Sequence, residues 1–204
     1  ADVAHTQKHL SNMGANVSPL SMDPAGRQTC YVQDPNGNYF QIVEGASWFT
    51  ASKHPSKCGG VAGAVIGVSN MEKSLPFYQD LLAYDQRVYD VEGQHAEYAF
   101  MPRGTEAFRR VLLTHPEVRQ GYFADLLGIT EIELIELQTP NVARAIFENR
   151  FWGDWGFIHL CFDVQGMDAL KTRCENFGAP FTVDSANSFD MGEAAGRFSY
   201  IEDP

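Results

Sequence analysis

Residues 154–170 read DWGFIHLCFDVQGMDAL, a stretch that alternates in polarity and then, past Gly166, changes to helical spacing. By period-two alternation Ile158, Leu160, Phe162 and Val164 share one face, and His159, Cys161 and Asp163 share the other. The helix that follows carries Met167, Leu170, Cys174 and Phe177 on one stripe and stops at Gly178. The same order, strand into helix, returns at residues 65–82, VIGVSNMEKSLPFYQDLL, in a strand that begins at Gly63. The chain is therefore organised by repetition.

A second repeat lies outside these strands. The stripe Val3, Thr6, Leu10 and Met13 ends at Gly14, and both this helix and the Met167 helix are followed by Gly-Ala, a polar loop and Gly-Arg. A strand then ends in Tyr-x-x-Asp-Pro, at residues 31–35 in one copy and 200–204 in the other. The first copy continues through Asn36-Gly37, a hairpin dipeptide, into a strand at 38–44, whereas the second is expected to lack that strand. Between the copies, the spacing predicts a helix through Tyr78 and Leu82, with Pro76 in its first turn and Asn70 or Ser74 as its cap. Strands are expected at 86–91, 96–101, 109–113 and 130–137. Residues 46–61 read as a linker, and residues 139–155, with Phe147, Phe151, Trp152 and Trp155, as a connecting helix.

The 204 residues are 44% hydrophobic and 12% aromatic, enough for one or two cored domains, which excludes a disordered or disulfide-stapled chain. Twenty-six acidic against fifteen basic residues give a net charge of −11, so neither nucleic acid nor anionic membrane is an expected partner. No apolar run approaches the ~20 residues of a bilayer span. Cys30, Cys58, Cys161 and Cys174 show no metal or redox spacing and read as buried free thiols of a cytoplasmic protein.

A strand, a helix and three strands used twice per domain resemble the vicinal oxygen chelate superfamily, which includes glyoxalase I, methylmalonyl-CoA epimerase, extradiol dioxygenases and bleomycin-resistance proteins. VIGVSNMEKSLPFYQDLL is similar to its opening strand and helix, DWGFIHLCFDVQGMDAL to the opening of its second half, and DPNGNYFQIVE (34–44) to its closing hairpin. The resemblance implies an α+β fold in which repeated βαβββ half-units form an open, metal-cupping barrel. Residues 1–45 would be the trailing half-unit of a first module. Residues 62–138 and 156–204 would be the two half-units of a second. Residues 1–45, an unpaired half-unit, are expected to pair with a neighbouring chain, giving a homo-oligomer, or with the carboxyl-terminal half-unit.

The same resemblance implies a divalent metal, zinc, manganese, iron or nickel, held by side chains in the barrel's hollow. Here His159, Glu133 and Gln41 stand at candidate ligand positions, with Glu136 an alternative to Glu133 if a bulge shifts the strand. Gly63 falls where His159 lies in the other half. Glu133 would double as the base of a lyase, isomerase or epimerase acting on a small carbonyl or thioester. His95, Tyr98, Arg110 and Cys161 would line the substrate pocket; Arg109 and Arg110 read either as an anion clamp or as surface salt bridges. The competing readings are a metal-free small-molecule binding protein of the bleomycin-resistance type and an extradiol-type dioxygenase.

Overall fold

The computed structural model describes residues 2–45, 58–117, 120–121, 124, 128–139, 145–146, 148–151, 153–154, 156–186, 190–191 and 194–204. Helices and sheets are mixed, and among the described residues no helix is long and apolar enough to cross a membrane. The chain divides into two compact units: Ala1–Met71 with Tyr84–Leu160, and Glu72–Ala83 with Cys161–Pro204.

The first unit opens with helix α1 (Val3–Asn12), capped where the Asp2 carboxylate accepts from His5 N at 2.9 Å. Val3 and Thr6 are its buried residues, while Met13 lies past the end and is exposed. Gly14, at φ +82°, turns the chain, and Ala15 N donates back to the Leu10 carbonyl. Four strands follow: β1 (Asn16–Val17), β2 (Ser21–Met22), β3 (Gln28–Gln33) and β4 (Tyr39–Val43), with β3 pairing antiparallel to the other three. The β3–β4 turn is closed by Asp34, whose carboxylate accepts from Asn36 N, Asn38 N and the Asn38 amide, while Gly37 takes the left-handed conformation.

A second sheet has the order β5-β8-β7-β6, built from β5 (Gly63–Val68), β6 (Gln86–Gln94), β7 (Ala107–Thr114) and β8 (Glu131–Leu137). The first strand pairs parallel to the last and the other pairs are antiparallel. The two faces differ as the alternation requires: Val111, Leu113, Ile132 and Leu134 lie on one, all at most 2% exposed, and Arg110, Leu112 and Glu133 on the other. Gly63 is a packing requirement, because a Cβ there would collide with the Glu131 carbonyl as β5 and β8 come together. This sheet meets the first through Arg27, which donates to both Glu131 oxygens at 2.8 and 3.1 Å, and the connection between β6 and β7 meets it through the ring pairs Tyr31–Tyr98 and Tyr39–Phe100. Residues 2–45 therefore pack on 63–137 of their own chain within this unit.

The second unit carries helix α3 (Met167–Phe177), which buries Cys174 and ends at Gly178 in the left-handed conformation. Its short strands are β9 (Val183–Asp184), β10 (Asp190–Met191), β11 (Ala194–Ala195) and β12 (Ser199–Tyr200), paired β9 with β12 and β10 with β11. The bonds that close the sequence repeat recur in both copies. Ala179 N donates to Cys174 O as Ala15 N does to Leu10 O, and Thr182 N to Tyr200 O as Ser18 N does to Tyr31 O, each of the latter at 2.8 Å. The Gly-Arg arginines act alike too: Arg27 holds Asp23 and Arg197 holds Asp184. In the same unit Phe77 packs edge-on against Phe177, and the Tyr78 hydroxyl donates to Asp203 at 3.1 Å.

Three expectations are corrected. Residues 96–101 form a 3-10 helix (Ala96–Phe100), not a strand, because this connection finds its hydrogen bonds locally, Tyr98 N to His95 O and Met101 N to Tyr98 O. Pro76 ends helix α2 (Met71–Pro76) and does not begin it; without an N–H to continue the ladder, the chain widens into a π-helical turn over Phe77–Leu81. Residues 157–164 form no strand. They have no ladder partner among the described residues, and without a sheet to sort the alternation Phe157, His159, Leu160, Cys161 and Val164 are all exposed. Of the four free thiols Cys30 and Cys174 are buried, Cys58 is intermediate and Cys161 is exposed. Residues 46–57 of the expected linker, and Phe147, Trp152 and Trp155 of the expected connecting helix, lie outside the described residues.

Candidate functional site

The face of the second sheet that carries Glu133 is polar at its centre. Glu133 on β8 stands opposite Leu112 on β7, diagonally next to Arg110, and both charged residues are nearly inaccessible, at 3% and 0% exposure. Arg110 Nε donates to Glu133 Oε1 at 2.6 Å, and Arg110 Nη1 pairs with Glu97 on the 3-10 helix. The hydroxyls of Tyr89 and Tyr98 donate to the same Oε1 at 2.9 and 3.3 Å. Tyr89 reaches it because of a bulge in β6: Arg87 opposes Leu113, Tyr89 opposes Leu112, and the extra residue, Val88, swings Tyr89 onto the Glu133 face. The Arg110 guanidinium lies over the Tyr98 ring, 4.1 Å from its centroid, and the Tyr31 ring stands edge-on to Tyr98 at 6.0 Å.

Burial, and then the charge of Glu133, push the phenols of Tyr31, Tyr89 and Tyr98 far above their ordinary value, so all three remain protonated. Burial opposes the charge on Arg110, but Glu133 and the hydrogen bond to it outweigh that and raise the guanidinium's pKa. The cluster is a buried carboxylate pair clamped by one guanidinium, a design in which each charge depends on its partners.

At its edge is His95. The ring faces Tyr98 edge-on at 5.8 Å, one nitrogen bonds the Phe108 backbone, and Nε2 is buried without a partner. A cleft of about 290 Å³ opens here, lined by Met22, Asp23, Pro24, Val91, Gln94, His95, Ala96 and Glu97. Burial first, and then the nearby Arg110, hold the imidazole below its usual 6.5. The folded chain thus takes up this proton later than the unfolded chain. The contribution of His95 to stability is present above about pH 6.5 and is lost as the pH falls through the depressed value. Urea midpoints measured between pH 7.5 and 5 should therefore fall on the acid side, and His95→Phe should flatten that limb.

Of the residues expected from sequence, Glu133, Arg110 and Tyr98 meet in one cluster with His95 beside them. Glu136 faces the other way and accepts from Met71 N at 3.1 Å. Gln41 lies on β4 with its amide on Thr29 Oγ1 at 3.1 Å. His159 is exposed in the irregular segment, and Cys161, also exposed, belongs to the second unit. Arg109 makes the surface pair with Asp90 that one reading predicted, while its neighbour Arg110 is wholly buried. Tyr31, Tyr89 and Glu97 were missed. Tyr31 had a signal, its place in the Tyr-x-x-Asp-Pro repeat, but the Val88 bulge that aims Tyr89 has none in the sequence.

These donors do not fit a resident divalent ion. Glu133 Oε1 already accepts from three donors, and among the described residues no three His, Cys, Asp or Glu side chains gather in a way that could hold one.

Several solved structures resemble the chain, two of them variants of one enzyme. One is a glutamine-for-glutamate variant of glyoxalase I from Zea mays, at 18% identity and a TM-score of 0.40, covering 67% of this chain and 40% of its own. The other is a glutamate-for-valine variant of the same maize enzyme, at 14% identity and a TM-score of 0.48, covering 97% of this chain and 58% of its own. The chain thus spans less than two thirds of the length of either. No family model matches the chain, and no curated protein does. At such low similarity the reading of the site rests on its own geometry.

Proposed function

We propose that the first unit is a small-molecule binding module organised by an arginine and not by a metal ion. The observation that carries this is the Glu133 carboxylate, held by Arg110 Nε at 2.6 Å and by two phenols. The guanidinium supplies the positive charge that a divalent ion would otherwise supply, and its planar fork spans Glu133 and Glu97 together. Such a site binds by hydrogen bonding and shape, with the Glu133 carboxylate already committed to Arg110 and two phenols.

Calorimetric titration of the native protein with zinc, manganese and nickel tests this, alongside elemental analysis after purification. Neither should show a stoichiometric ion that depends on Glu133. An ion present at one per chain and released in both Glu133→Gln and His159→Ala would overturn the reading.

The metal-dependent lyase, isomerase or epimerase reading keeps one observation: every bond recorded at Glu133 falls on Oε1. Divalent-ion-dependent turnover of a thioester such as methylmalonyl-CoA, abolished in Glu133→Gln, would decide for that reading.

A further inference from the structure

We propose that the cleft beside His95 takes a small organic cation with N–H groups. This rests on the binding-module reading and names the subsite and ligand class within it.

Three independent features of the cleft agree. The first is polar atoms without partners. Among the described residues, four buried side-chain polar atoms have no hydrogen-bond partner, among them His95 Nε2, on the lining of this cleft, and Tyr31 Oη, which feels the charges of the lining residues Glu97 and Asp23. Buried polar atoms are almost always satisfied, so an orphan on the cleft's lining marks a place where something else completes the bonding. His95 defines what that is. With its other nitrogen on the Phe108 backbone and the ring neutral, Nε2 offers a lone pair and asks for a donor.

The second feature is charge. Among the described residues, Asp23, Glu97, Glu131 and Glu133 pair with Arg27 and Arg110, so the neighbourhood has an excess of negative charge that a cation neutralises and an anion aggravates. The third is shape. The lining alternates Asp23, His95 and Glu97 with Met22, Pro24 and Val91, giving the apolar body of the ligand a surface of its own. A short alkylammonium satisfies all three: its N–H groups meet His95 Nε2 and the carboxylates, and its chain lies on Met22 and Val91.

The test uses the full chain, with butylammonium as probe and butyrate and 1-butanol as controls matched in size, read by amide and histidine-ring nitrogen resonances. Butylammonium should give saturable shifts at Met22, Asp23, His95 and Glu97 with a dissociation constant of about 1 mM, and should move the His95 Nε2 resonance. His95→Phe should abolish that binding. Met22→Lys alters a side chain that is 56% exposed and so leaves the fold intact; it should weaken the probe about tenfold by placing a like charge at the mouth. If butyrate or 1-butanol binds there as tightly as butylammonium, the cation assignment falls while the binding-module reading stands. If no probe moves these residues, the orphan atoms are met by water and the subsite is overturned. A Glu133-dependent metal ion, measured separately, would remove the module reading itself.

Discussion

Arg110→Met is expected to lower the free energy of unfolding by about 3–5 kcal/mol, as measured by guanidinium chloride denaturation at neutral pH. The substitution nearly conserves volume but leaves Glu133 and Glu97, whose side chains are 4% and 7% exposed, facing one another without their cation. Arg109→Met, one residue away, removes pairs with Asp90 and Glu92 near the surface and should cost no more than about 1 kcal/mol. Replacing the three charged groups together, Arg110→Met with Glu133→Leu and Glu97→Gln, should recover much of the loss, since the penalty lies in the orphaned charges. A single-variant loss below about 1 kcal/mol would show that water reaches the cluster.

The second large effect is expected at Gly63. Gly63→Ala places a Cβ against the Glu131 carbonyl, forcing the start of β5 away from β8, and should cost about 3 kcal/mol. Gly63→His would be worse on the same ground, so restoring an imidazole at this position should create no metal affinity, as zinc titration can check. A well-folded Gly63→His variant that binds zinc would overturn both the steric argument and the conclusion that the arginine organises the site.

The sequence revealed some of this and hid the rest for identifiable reasons. The alternation of Glu131, Glu133 and Ile135 against Ile132 and Leu134 was legible, because a strand inside a sheet sorts its side chains by a period of two. The same reasoning applied to Ile158, Leu160, Phe162 and Val164 met no sheet, and their alternation sorts nothing. The repeat from α1 through Tyr31 was legible in its glycines and arginines, and its hydrogen bonds recur around Tyr200. What no one-dimensional reading offered was partnership across the chain. That Arg27 reaches Glu131, 104 residues on, and that Arg110 takes the carboxylate a metal was expected to hold, follows from how two sheets close together and from a one-residue bulge at Val88.

That closure also bears on how the polypeptide is made. Residues 2–45 leave the ribosome long before β8, the strand that supplies Glu131, has been synthesised. During that interval Tyr31 and its neighbours on β3 have no lining of their own to rest against, and contact with another nascent chain competes with the native seam. Slower elongation before residue 131 should therefore lengthen the period in which the emerging protein depends on a chaperone.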